Sequence, residues 1–237
     1  SQRNIILRTQ RKKLDNKRVA IIESGRLSVK GETSIQMNER IILASSSEYK
    51  AAALRKLKID FEQIDPNINE ALRADEHPRE ACQRLALSKA RTVAENNPGA
   101  IIIGADQIGV CKQNILTKTG DKERAFAQIL SMNGELCHFF TAIAVAKNNG
   151  ALGVHSELMC DTTKVQLRQL NDQEIQTYVE LDNPISCAGS FKAESLGIAL
   201  FERIETSDPS ALIGLPLIGV TTLLKIFNVR LLGETLN

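Results

Sequence analysis

The hydrophobic positions of this 237-residue chain fall into short apolar runs and stripes at helical spacing. Ile101-Ile102-Ile103 places three β-branched residues in a row, the pattern of a strand buried on both faces. Gly104 and Ala105 then remove side-chain bulk, so that a ligand or another backbone can come close. Asp106 follows at the expected end of that strand, where open α/β sheets bind ligands. A carboxylate there works on a substrate, holds a metal, or is a turn residue. Ile108 to Cys111 reads as an adjoining strand. Upstream, Arg40 to Ala44 predicts the first core strand. Three serines, Ser45 to Ser47, lead into a helix over residues 48–58 with Ala53, Leu54 and Leu57 facing inward. Serines in that place cap a helix. They also leave N–H groups and hydroxyls at its positive end, which suits an anion.

The pattern continues with a short strand over 61–65 and a polar loop over 67–75 that contains Glu70. Pro78 opens a helix to about Asn97, whose stripe is Cys82, Leu85, Ala86 and Ala90. Arg84 and Lys89 flank the stripe, and their bland reading is solvated helix face. Lys118 lies in a loop ahead of a helix over 121–130. Cys137 to Ala146 alternates and ends in Asn148-Asn149-Gly150, which signals a hairpin with a partner strand over 154–168. A helix capped by Asn171, a small-residue segment from Ser186 to Phe191, a strand over 198–203 and a helix from Pro216 to Phe227 complete the order. Strands and helices alternate, yet the hairpin is antiparallel. The fold class is therefore α/β, with a mixed central sheet and flanking helices.

Composition changes this picture in two places. Residues 1–40 hold ten Lys/Arg against four Asp/Glu, while the whole chain has 30 against 28, so the body is mildly acidic. That balance argues against a nucleic-acid surface, and no aromatic platform accompanies the basic segment. Residues 1–36 are expected to be a basic, peripheral extension, disordered or arm-like, or sequence upstream of a start at Met37; residues 37–237 are expected to form the folded domain. The five cysteines are odd in number and widely spaced, without C-x-x-C, and the three histidines lack metal-ligand spacing. Unpaired cysteines suit a reducing cytoplasm. The apolar stretch from Ala211 to Leu224 is too short to span a membrane, and no secretory signal is visible.

Several chemistries drop out. The chain has no G-x-G and no Gly-Lys dipeptide, so neither the dinucleotide fingerprint nor the P-loop is present. No histidine fits a Ser–His–acid arrangement. What remains is two carboxylates, Asp106 and Glu70, a serine-capped helix start, and lysines ahead of or within helices. This is the inventory of a metal-assisted phosphate site.

The motifs Leu43-Ala44-Ser45-Ser46-Ser47, Arg84-Leu85-Ala86 with Lys89-Ala90, Gly104-Ala105-Asp106-Gln107, Cys187-Ala188-Gly189-Ser190-Phe191-Lys192-Ala193-Glu194 and Gly214-Leu215-Pro216-Leu217 stand in the order and spacing of one family. Over residues 40–230 the chain resembles the Maf-like (septum-formation-inhibitor-like) nucleotide pyrophosphatases. Gln107 and Glu194 resemble the 7-methyl-GTP pyrophosphatase subfamily; the dTTP/UTP-cleaving subfamily typically has Thr and Gln at these places. The resemblance implies two lobes around a cleft, related to the inosine triphosphate pyrophosphatases, and often a homodimer. It implies hydrolysis of a nucleoside triphosphate to the monophosphate and pyrophosphate, assisted by Mg²⁺ or Mn²⁺. By the family motif Asp106 is the general base or a metal ligand, two roles the sequence leaves open, and Glu70 matches the motif carboxylate, a substrate-binding and metal position. Ser45, Lys50, Lys89 and Lys118 match polar or basic cleft positions, and Tyr49, Gln107 and Glu194 match positions tied to substrate choice.

The chain departs from the family pattern at Glu48 (commonly Pro), Lys50-Ala51 (often two arginines), Asn69 (Asp), Thr117 and Thr119 around Lys118 (Gly and Pro) and Ala142 (Gly). Lys50 keeps a charge but loses bidentate phosphate binding. The alternative reading is a nucleotide-binding regulator of cell division with weak or no hydrolysis.

Overall fold

The computed structural model describes residues 39–232; the expected basic extension, residues 1–36, lies outside them. The described chain begins with β1 (Ile41–Ala44), every residue of which is buried. It then passes through α1 (Glu48–Arg55), β2 (Glu62–Ile64), α2 (Pro78–Glu95) and β3 (Ile101–Cys111). β1 lies parallel to β2 on one side and to β3 on the other. The strand order therefore reverses at β1. The crevice beyond its carboxyl end is the place where such sheets take ligands.

β3 differs from expectation. It is one strand through Cys111, because β5 (Leu136–Asn148) pairs with it antiparallel from Ile101 to Cys111. Asp106 is therefore mid-strand. It still reaches the crevice, because β1 stops opposite Gly104 and β4 (Asn114–Leu116) resumes pairing only at Gly109. From Ala105 to Ile108 that edge of β3 has no strand beside it. Gly104 serves the approach of another backbone: a Cβ there would lie 2.5 Å from the Ala86 carbonyl oxygen and 2.6 Å from the Ala90 nitrogen. Helix α2 thus lies directly on β3 and carries Lys89 over Asp106.

After α3 (Lys122–Ser131), β5 and β6 (Val154–Leu167) form the long hairpin, in register from Leu136–Gln166 to Asn148–Val154. Its turn is longer than Asn-Asn-Gly suggests, with a 3₁₀ turn at Gly150–Leu152. α4 (Asp172–Asp182) starts at a capping box of Asn171 and Glu174. The strand expected over 198–203 is displaced. Leu196–Leu200 is a 3₁₀ helix, and the strand is β7 (Phe201–Glu205), which begins where Phe201 pairs with Leu167. α5 (Leu217–Ile226) closes the described chain, with the Asp208 carboxylate accepting from the Ile218 and Gly219 amides at its start.

The sheet order is β2-β1-β3-β5-β6-β7, with β4 on β3, a mixed sheet flanked by helices as expected. Apolar cores form on both faces near β1. Ile41, Leu43, Ile101 and Ile103 pack with Leu54, Leu223 and Leu224 on one face; Ile42 and Ile102 pack with Ala90 and Val93 on the other. Each fully buried Ile or Leu contributes roughly 1.5–3 kcal/mol of transfer free energy. A further core of Phe139, Val165, Ile129, Val179 and Phe191 lies at the far end of the long strands. These cores give two lobes that share β3, β5 and β6, with the cleft between them.

Candidate active site

The cleft is a cavity of about 450 Å³. Its floor is set by β3 and its first wall by α2. Lys89 points from α2 towards the sheet, and its Nζ lies 2.6 Å from Asp106 Oδ1 and 2.8 Å from Glu70 Oε1. Lys89 is only 6% exposed and Asp106 7%, so the bland alternative of a solvated face does not hold for Lys89. The cause is the close approach at Gly104, which no helical periodicity reveals. Burial works against the Lys89 charge, but attraction to and hydrogen bonding with Asp106 and Glu70 outweigh it and hold the ammonium above the ordinary lysine range. Asp106 Oδ2 has no partner among the described residues. The Asp106 carbonyl accepts from Cys82 Sγ at 3.1 Å, which ties β3 to α2 beneath the site.

Arg84 also departs from the solvated reading. Its Nε and Nη2 meet the Glu76 carboxylate at 2.6 and 2.7 Å, and Nη2 donates to the Ala71 carbonyl at 3.2 Å. This bidentate pair holds the loop that carries Glu70 against α2. The Arg84 guanidinium lowers the Glu76 carboxyl to about 2. Sequence gave no sign of Glu76, which is eight residues from Arg84 across a loop.

The opposite wall begins at the start of α1. Ser47 caps that helix by accepting from the Lys50 amide, and Ser45 Oγ accepts from the Ser47 amide. Two of the three serines are therefore occupied in shaping the turn. Tyr49 and Lys50 follow, and the Tyr49 hydroxyl lies 3.4 Å from Ser186 Oγ on the far lobe. Lys50 and Lys118 both line the cleft and neither makes an ion pair among the described residues. Burial pushes the Lys50 ammonium below the ordinary lysine range; attraction to Asp106 opposes this, and repulsion from Lys89 and Lys118 adds to it.

Gln107 lines the cleft next to Asp106. Its Nε2 donates to Thr141 Oγ1 at 3.1 Å and to the carbonyls of Ala211 and Leu212 at 2.9 and 3.2 Å. Glu194 lines the same cavity, at the end of a segment with left-handed residues at Gly189 and Ser190. All nine residues singled out from the sequence, Ser45, Tyr49, Lys50, Glu70, Lys89, Asp106, Gln107, Lys118 and Glu194, thus meet at one cavity. Ser186 and Cys187, read from the sequence as part of a small-residue segment and not as site residues, line it too.

Residues 40–227 match the family described as Maf-like protein. The chain belongs to that family. Among its curated relatives, the 7-methyl-GTP pyrophosphatase of Alcanivorax borkumensis is 41% identical over 191 residues, 81% of this chain and 95% of that protein. The 7-methyl-GTP pyrophosphatase of Xanthomonas axonopodis pv. citri is 42% identical over 187 residues, 78% of this chain and 95% of that protein. Among solved structures, the Ham1 protein of Staphylococcus aureus overlaps with a TM-score of 0.39 at 13% identity, over 54% of this chain and 72% of that one. A dITP/XTP pyrophosphatase from Mycobacterium abscessus overlaps at 0.36 and 14%, over 55% and 75%. The family assignment rests on the sequence matches. Within this Maf-like domain no helix is long and apolar enough to cross a membrane, among the described residues.

Proposed function

We propose that this Maf-like protein hydrolyses a nucleoside triphosphate to the monophosphate and pyrophosphate, and that 7-methyl-GTP is its substrate. The observation that carries the reading is the Asp106 carboxylate. It is nearly buried and held on one oxygen by Lys89; among the described residues its other oxygen accepts no hydrogen bond, and the two further lysines of the cavity make no ion pair. Asp106 accepts the proton of a water attacking the α-phosphorus, with Lys89 fixing its orientation. Lys50 and Lys118 offset charge on the triphosphate and on the leaving pyrophosphate. Ser45 and the α1 start bind phosphate oxygens.

The donor set also fits a divalent cation. Asp106 and Glu70 present hard oxygens to one cleft, yet no group of three or more His, Cys, Asp or Glu residues is placed to hold a metal among the described residues. Two carboxylates completed by substrate phosphates and water is how Mg²⁺ is commonly bound, and Mn²⁺ takes similar ligands. Glu70 and Asp106 would hold it, Asp106 then serving as its ligand in place of taking the proton directly. When bound, it neutralises phosphate charge and polarises the anhydride.

Base choice follows from acceptors. The Gln107 amide nitrogen is occupied by Thr141, Ala211 and Leu212, which leaves Oε1, an acceptor, for a ligand. Glu194 is a second acceptor. Guanine offers N–H donors on its Watson–Crick edge, whereas thymine and uracil offer one donor between two carbonyls. N7-methylation adds positive charge, which a carboxylate offsets and the Tyr49 ring can stack against. Support also comes from the names of the relatives. The cytoplasmic setting expected from the sequence is part of the same proposal and agrees with five free cysteines. So is the homodimer that the resemblance implies, which sedimentation checks. The test of function is pyrophosphate release from 7-methyl-GTP, GTP, dTTP and UTP with Mg²⁺ or Mn²⁺. Release fastest from 7-methyl-GTP supports the reading. Binding without release from any of them leaves a nucleotide-binding protein instead.

A further inference from the structure

Lys118 needs a fixed position to meet a phosphate, yet its neighbours here are threonines. A Gly and a Pro, the residues expected beside it from the resemblance, would shape that loop through backbone conformation alone, the Gly by admitting a tight turn and the Pro by fixing φ. In this chain the loop is held from outside by Gln128 on α3. The Thr117 amide donates to Gln128 Oε1 at 3.1 Å, and Gln128 Nε2 donates back to the Thr117 carbonyl at 3.0 Å. The side-chain amide thus pairs with both polar groups of one residue, as a neighbouring strand would. Gln128 Nε2 also donates to Ser190 Oγ at 2.8 Å, and Ser190 Oγ lies 3.3 Å from Thr119 Oγ1. Ser190 is fully buried and has φ +53°, a left-handed conformation for a residue with a Cβ. The hydrogen bonds to its hydroxyl hold it there. It is four residues from Glu194, and both it and Thr117 are one step from the cleft.

We infer that Gln128 is a positioning residue that fixes Lys118 and the Cys187–Glu194 segment as one hydrogen-bonded unit, so that the phosphate and base ends of the cleft are set together. The inference rests on the proposed reading of the cleft as a triphosphate site. Gln128 touches no substrate itself; it acts through Thr117 and Ser190. Gln128→Leu keeps the bulk and removes every hydrogen bond. Gln128→Glu keeps the acceptor for the Thr117 amide but loses both donations.

The experiment is a double-mutant cycle of Gln128→Leu with Lys118→Ala, read by kcat and KM for pyrophosphate release, together with amide exchange by NMR. Gln128→Leu should lower kcat/KM about tenfold, mostly through KM. In the Lys118→Ala background the same change should cost only about threefold, the part that still passes through Ser190 to the Cys187–Glu194 segment. Exchange at Thr117 should speed up severalfold in Gln128→Leu and stay slow in Gln128→Glu. Losses that multiply fully in the cycle, or Thr117 exchange that Gln128→Leu leaves untouched, overturn the inference. Amide exchange, and titration of inorganic pyrophosphate into the protein, read the same unit without turnover. If no triphosphate is cleaved, the functional reading fails while these two measurements still decide the role of Gln128.

Discussion

The two walls of the cleft are built on opposite principles. On the α2 wall the two cations beside the cleft are answered within the protein: Lys89 by Asp106 and Glu70, Arg84 by Glu76. On the facing wall Lys50 and Lys118 make no ion pair among the described residues; Ser47 accepts from the Lys50 amide, and Gln128, itself donating to Ser190, pairs with the backbone of Thr117 beside Lys118. The first wall is rigid before any ligand arrives. The second stores uncompensated positive charge, which an entering triphosphate neutralises. A catalytic carboxylate benefits from the first arrangement, because it must not drift. A phosphate grip benefits from the second, because a lysine already paired inside the protein attracts phosphate weakly.

The sharpest way to break this contrast is at Asp106. Asp106→Asn keeps the shape and removes the proton acceptor, so turnover should fall on the order of a hundredfold or more with the fold intact, as circular dichroism will show. Near-normal turnover would remove Asp106 from the chemistry. Next come the two lysine classes. Lys89→Met strips the answer from a buried carboxylate and should cost about 3 kcal/mol of stability as well as activity, measured by denaturant unfolding. Lys118→Ala should raise KM about tenfold and leave stability within about 0.5 kcal/mol, because no internal partner is lost. Equal destabilisation by both would erase the distinction between the walls.

Glu194→Gln should lower kcat/KM for 7-methyl-GTP by about tenfold, the scale of one charged hydrogen bond, and affect dTTP and UTP less. Equal loss on all substrates would make Glu194 scaffolding. Glu76 supplies a pH test. Its carboxyl is held at about 2 in the folded protein against 4.5 ordinarily, so the unfolded chain binds the extra proton as pH falls between those values. The stabilisation is therefore complete above about pH 5 and is lost as pH drops towards 2. The Tm difference between the protein and Glu76→Gln should shrink over that range and stay flat from pH 6 to 8. The smallest effect is expected from deleting residues 1–36, which precede both the family match and β1. Activity and Tm should stay nearly constant, and a collapse of either would make that segment structural.

How far the sequence could be read depended on how local each cause was. β1 and the hairpin from β5 to β6 follow from runs and alternation, and Asn171 capped its helix as its residue type implies. The continuity of β3 was hidden because Gly104, Ala105 and Asp106 look like a strand end, and only the partner β5 shows otherwise. Leu196 to Leu200 is apolar enough to read as strand, yet Ile198 is 54% exposed and the segment winds as a 3₁₀ turn. The nine cleft residues were found through motif order, which summarises tertiary neighbours that spacing alone does not. The roles of Arg84, Glu76 and Gln128 depend on contacts across loops and helices. A polar residue on a half-exposed helix face looks the same whether it grips a loop or meets water.

The gap along β3 from Ala105 to Ile108 has a consequence for how the molecule keeps to itself. An open strand edge invites a strand from another chain, and proteins guard such edges with charge, twist or cover. Here the edge is bounded by β1 at Gly104 and by β4 at Gly109. The opening is shorter than the five or six residues of a typical strand. It also carries a carboxylate, which disfavours the dry stacking of fibril-forming segments. The protein can therefore leave this stretch of strand open to a small ligand without offering a template for aggregation.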